Sequence, residues 1–153
     1  MDQPTANFVA GKLVACYGRS CKIYIDGFGW NHLVETIKSR EDATSAVKDD
    51  KILLIGGGKY DPETRSYDRT TEWVSVDGSP SVPGPFNVRH GSSHCTIQVT
   101  NNYVVVTGGE RTEEYVTGYE LSGDGNMTLF NRLKQGRYGH ACGVYQEAGQ
   151  QVG

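Results

Sequence analysis

The run Gly56-Gly57-Gly58-Lys59 is the first place in this sequence where residue types suggest chemistry. Successive glycine N–H groups beside a lysine can cradle a phosphate. A P-loop also needs an earlier glycine, a Ser or Thr after the lysine, and a helix behind it. None of these follows from the residues here, so the glycines read as the stop of the apolar strand Ile52 to Ile55. The four histidines, His32, His90, His94 and His140, show no metal-ligand spacing. His94 and His140 read instead as hydrogen-bonding anchors for loops or neighbouring strands. The adjacent carboxylates Glu113 and Glu114 sit in a charged loop and read as solvated surface. The sequence therefore points to no catalytic set, no metal site and no cofactor.

Cys16 and Cys21 flank a four-residue gap between two predicted strands. Opposing strands of a hairpin bring such residues within bridging distance, and the alternative is two buried thiols. Asn126-Met127-Thr128 is a glycosylation sequon in a glycine-rich turn, with Asn126 the acceptor. The net charge is −3, from 15 basic and 18 acidic residues, with no basic stripe. That argues against a nucleic-acid or anionic-membrane partner. The longest apolar run is far shorter than a bilayer span. The first residues lack a signal-peptide pattern. The chain is therefore expected to be either extracellular, as a mature or excised piece, or cytoplasmic.

Positioning such residues requires scaffolding, and that scaffolding repeats. Lys51-Ile52-Leu53-Leu54-Ile55-Gly56-Gly57-Gly58 recurs as Tyr103-Val104-Val105-Val106-Thr107-Gly108-Gly109, with Gly58 and Gly109 shifted by 51 residues. A weaker copy is Lys12-Leu13-Val14-Ala15-Cys16-Tyr17-Gly18. Arg40, Arg89 and Arg137 keep the same beat, as do Tyr24, Trp73 and Tyr119 before their turns. Trp30, Phe86 and Phe130 supply one aromatic per outer strand. Glycine-rich turns, short alternating runs and no helical periodicity predict an all-β chain. The three prolines between Ser79 and Pro85 predict an irregular segment, and the residues between 59 and 70 a polar loop.

These residues resemble the kelch repeat, most closely that of secreted animal kelch proteins. Arg137-Tyr138-Gly139-His140-Ala141-Cys142 and Cys16-Tyr17-Gly18-Arg19-Ser20-Cys21-Lys22-Ile23-Tyr24 carry the closer likeness. The resemblance implies a β-propeller of four-stranded antiparallel blades. It assigns 1–36 to an incomplete blade holding second to fourth strands, 37–85 and 86–133 to full blades, and 134–153 to the first strand of a further blade. That is about three blades' worth, whereas propellers usually have about four to eight. The missing blades would come from the rest of a longer chain or from a second copy, a homodimer closing a six-bladed ring. In the repeat register Cys95 and Cys142 occupy strand positions of opposite parity, so on adjacent blades they can face each other and form a staple.

The resemblance implies a non-enzymatic protein-protein interaction scaffold. Its partner-binding surface is expected on loops carrying Tyr60, Arg65, Tyr67, Arg69, Arg111 and Tyr115. Tyr and Arg dominate interface hot spots. The alternative is a fragment of a propeller enzyme, either a galactose-oxidase-like copper oxidase or a sialidase-like glycosidase. Ser66, Asp68 and Trp73 partly match the sialidase Asp-box turn, but Thr70 stands where its glycine belongs.

Overall fold

Short runs bounded by tight turns fold into strands throughout the computed structural model, which describes residues 4–144. The first sheet is built from Thr5–Val9 (β1), Lys12–Ile25 (β2) and Gly29–Arg40 (β3), in that spatial order. Thr44–Lys48 (β4) and Lys51–Ile55 (β5) begin the second. A small ribbon of Tyr60–Asp61 (β6) and Ser66–Tyr67 (β7) interrupts it before Thr70–Ser75 (β8) and Val82–Asn87 (β9) complete the order β4-β5-β8-β9. Cys95–Thr100 (β10), Tyr103–Thr107 (β11), Val116–Glu120 (β12) and Met127–Leu129 (β13) form the third sheet in sequence order. All the pairings are antiparallel.

Several boundaries differ from the sequence reading, each for a physical reason. The expected division at 36/37 falls within β3, because Arg40 ends that strand rather than opening the next sheet. The expected division at 85/86 falls within β9, which contains Pro83 and Pro85. Prolines are tolerated there because β9 lies at the sheet edge, where a missing N–H leaves no ladder bond broken on its outer side. The expected polar loop between 59 and 70 contains the β6–β7 ribbon. The first sheet also has a strand in the position that the sequence reading left empty. The turns place Val9 opposite Lys12, Lys48 opposite Lys51 and Thr100 opposite Tyr103, so β1 matches β4 and β10. The expected strand in 134–153 is absent from its described part, 134–144, and the remainder lies outside the described residues.

The element β2 is not straight. Cys16 and Cys21 form a disulfide with their Cα atoms 4.1 Å apart. Five residues of extended strand span roughly 16 Å, so the chain reverses between them. The first arm pairs with β1 and the second with β3. The bridge thus clamps a hairpin across its two arms. A second disulfide joins Cys95 at the start of β10 to Cys142 beyond the third sheet, across a sequence separation of 47.

The sheets stack face to face in chain order. Val9, Val14, Cys16, Cys21 and Val34 pack on Ile52, Leu54, Val74 and Val76. On the other side of the second sheet, Ala46, Leu53, Ile55, Phe86 and Val88 pack on Val104, Val106, Tyr119 and Leu121. This explains the unbroken apolar run in β5: a strand covered on both faces has no polar side. The glycines after it serve the junction. At Gly57 (φ 76°) a Cβ would lie 2.2 Å from the Ala43 nitrogen, and at Gly108 (φ 67°) 2.3 Å from the Arg137 carbonyl oxygen. Only glycine accepts both that backbone conformation and that approach.

One buried ion pair pins the first junction. Arg40 Nε lies 2.5 Å from Glu72 Oε1, with both side chains buried. Arg40 Nη1 donates to the Gly56 and Thr70 carbonyls at 2.7 and 2.8 Å, and Nη2 to Thr70 Oγ1 at 2.9 Å. Glu72 Oε2 accepts from Ile37 N–H at 2.8 Å and Ser81 Oγ–H at 2.6 Å. Histidines hold the second junction. His90 bonds the Gly108 carbonyl and Thr117 Oγ1, both at 2.6 Å. His94 bonds the Gly91 carbonyl at 2.8 Å and Thr44 Oγ1 at 2.9 Å. Burial holds the His90 imidazole down at about 4, from its usual 6.5, and lowers His94 as well.

The first sheet ends the stack with an open apolar face. Counting outward from the Cys16–Cys21 clamp sets Leu13 opposite Tyr24. Phe8 pairs with Leu13, and Tyr24 with Trp30, so these four form a row across the sheet. They are 72%, 37%, 43% and 47% exposed. By strand register Leu13 matches Ile52 and Val104, and Tyr24 matches Val74 and Tyr119, none of which exceeds 1%.

Two predictions follow from these junctions. Arg40→Met leaves Glu72 buried and unpaired, and is expected to cost about 3–5 kcal/mol in urea unfolding, with R40M/E72L recovering part of it. A loss under about 1 kcal/mol would contradict the buried pairing. A depressed histidine pKa stabilises the fold fully above the unfolded value and loses that contribution as pH falls toward the folded one. His90 should therefore withdraw on the order of 3 kcal/mol between pH 6.5 and about 4. His90→Gln should flatten this slope, and an unchanged slope would exclude His90 as its source.

Candidate interaction surface on the inter-sheet loops

The β6–β7 ribbon is the local device that brings loop residues together. Its register sets Tyr60 opposite Tyr67, with ring centroids 5.1 Å apart. The loop after β11 reaches over from the third sheet. Arg111 stacks on Tyr60, with Cζ 4.4 Å from the ring centroid, and its Nη1 donates to Tyr60 Oη at 2.7 Å. Tyr67 donates its hydroxyl to the Glu110 carboxylate. Burial, then this bond and the charge of Glu110, raise the Tyr67 phenol to about 12, so it remains a hydroxyl donor. Arg111 adopts φ 62°, and Glu113 Oε1 accepts its N–H at 3.0 Å.

The six loop residues expected from sequence divide three ways. Tyr60, Tyr67 and Arg111 meet in one cluster. Tyr115 lies elsewhere, between the guanidiniums of Arg89 and Arg132 at 5.3 and 5.2 Å from its ring. Arg65 sits exposed at the ribbon tip with φ 52°. Arg69 is half-buried, with Nε buried and lacking a partner. Sequence reasoning missed Glu110, Arg89 and Arg132. Glu110 follows the second double glycine directly, and that position was the available signal. The sequon side chain of Asn126 is exposed and donates to Glu120 Oε2 at 3.3 Å. His140 bonds Thr107 Oγ1 at 2.9 Å, anchoring the segment that carries Cys142. His32 is exposed on β3.

Comparison with known proteins adds the fold. No family model matches the chain, and no curated protein sequence does. A solved structure of YjhT superposes on 94% of the chain with a TM-score of 0.78 at 13% identity. The chain shares its fold with YjhT. It spans 56% of the YjhT chain, little more than half. At this identity the likeness concerns the all-β architecture alone.

The Arg111 stack should be worth about 0.5–1 kcal/mol at an exposed site. Arg111→Ala is therefore expected to lower the melting temperature by only about 1–4 °C. It should nevertheless speed tryptic cleavage after Arg65, because the ribbon loses its cross-sheet tether. An unchanged cleavage rate would show that Arg111 does not restrain the ribbon.

Proposed function

We propose that this chain is about half of a kelch-type β-propeller and acts as a non-enzymatic scaffold for protein–protein interaction. The repeated sheet design, the double-glycine strand ends and the 56% span of YjhT support the propeller reading. The observation that carries the functional reading is the Tyr60–Tyr67–Arg111–Glu110 cluster. It fixes tyrosine and arginine from two different sheets on one partly exposed loop surface. Such preordered side chains suit hot-spot contacts because little rotamer freedom remains to be lost on binding. The open row of Phe8, Leu13, Tyr24 and Trp30 is the seat of a further sheet of the same repeat, as the buried matching positions suggest. Two disulfides favour an extracellular setting, where such bonds persist.

The 153-residue chain alone should self-associate or bind a hydrophobic dye through that row, and Tyr24→Lys with Trp30→Lys should abolish both. A folded monomer of 16.7 kDa that leaves the dye dark would overturn the partial-ring reading. For the scaffold reading, a protein captured by the native chain should be lost at least tenfold with Tyr60→Ala and Arg111→Ala combined. Bound copper or turnover of simple sugars would overturn it in favour of a propeller enzyme.

A further inference from the structure

A second feature lies beside the ribbon, and it goes beyond the loop cluster. A cleft of about 560 Å³ runs between the far end of β3 and the β6–β7 ribbon. We propose that this cleft binds an extended acidic peptide segment, seated by Arg19 and Arg69.

The charges in the cleft separate into spent and unspent; the Asp61 carboxylate also lines it and accepts from Glu63 N–H at 2.9 Å. Lys38 Nζ is 2.6 Å from Asp68 Oδ2, and Lys59 Nζ is 2.9 Å from Glu41 Oε1. Arg19 and Arg69 line the same cleft, and neither forms a salt bridge among the described residues. Arg69 adds a second observation: its Nε is buried and has no hydrogen-bond acceptor. The Nε is shielded, so a ligand carboxylate would meet the terminal nitrogens of this guanidinium, whose charge has no counter-ion among the described residues. Two unspent guanidiniums fit one or two ligand carboxylates. A sulfated polyanion gains much less here, because the two lysines already have partners and the chain as a whole is at −3.

The walls favour a peptide. The β2–β3 register jumps from Arg40 opposite Gly18 to Glu35 opposite Ser20, so residues 36–39 of β3 have no ladder partner on β2, although Glu72 already holds the Ile37 N–H and Thr36 Oγ1 donates to the Lys38 carbonyl at 2.7 Å. Across the cleft, β7 belongs to a two-stranded ribbon and, among the described residues, pairs only with β6. Strand backbone without a partner on both sides is the setting in which an extended segment adds main-chain hydrogen bonds. Alternate side chains of such a segment point to one face, which is where acidic residues would meet Arg19 and Arg69.

The test titrates the whole chain with a blocked hexapeptide carrying Glu at alternate positions, its Gln counterpart, and a heparin oligosaccharide. The Glu peptide should bind at least tenfold more tightly than the Gln peptide, and about 0.5 M salt should weaken it. Arg19→Gln, an exposed change that leaves the fold intact, and Arg69→Gln should each reduce Glu-peptide affinity at least threefold. Lys134→Gln, an exposed cation that does not line the cleft, should leave this affinity unchanged, which separates the cleft from the general charge of the surface. Equal affinity for the two peptides, no binding of either, or binding of heparin alone would overturn the proposal.

Discussion

Burying a charge is the most demanding act in this fold, and Arg40 and Glu72 do it together. Either group alone in the space between two sheets would be strongly destabilising. Together they consume each other's charge and also reach the Gly56 and Thr70 carbonyls, the Ile37 N–H and the Ser81 hydroxyl. The end of β3 is therefore fastened to the second sheet. From that point the chain can pass Gly57 closely, place Lys38 against Asp68 and form one wall of the basic cleft.

The same logic of close approach governs the second junction with different chemistry. There the polar work falls to neutral histidines, which need no counter-charge when buried and hydrogen-bonded. His90 and His94 join backbone carbonyls to threonines, while Gln98 exchanges two bonds with Val47 of the second sheet. The loops above this junction inherit its geometry, which is why Arg111 can reach Tyr60 across 51 residues of sequence.

Strand positions with a covered face on each side were the most legible, because burial on both faces leaves an apolar run with glycine at its end. Lys51–Ile55 shows this directly, whereas Tyr103–Thr107 repeats the sequence pattern with only its Val104 and Val106 face buried. The bond between Cys95 and Cys142 was expected from repeat parity, but strand periodicity is not its reason, because Cys142 lies on a segment that forms no strand among the described residues. The β1 strand was obscure because Thr5-Ala6-Asn7-Phe8-Val9 alternates weakly and its outer face is open. β9 was hidden by prolines that only an edge position tolerates. The cleft was not legible because its walls come from segments about 20 to 50 residues apart whose spacing follows no motif.

The central claim is that the three sheets are copies of one unit and that the first lacks the cover its counterparts have. Hydroxyl-radical footprinting of the native, non-reduced chain tests this at matched positions. The account predicts rapid oxidation of Tyr24 and Trp30 and strong protection of Tyr119, which is 1% exposed. Equal protection of Tyr24 and Tyr119 in a demonstrably monomeric chain would contradict it.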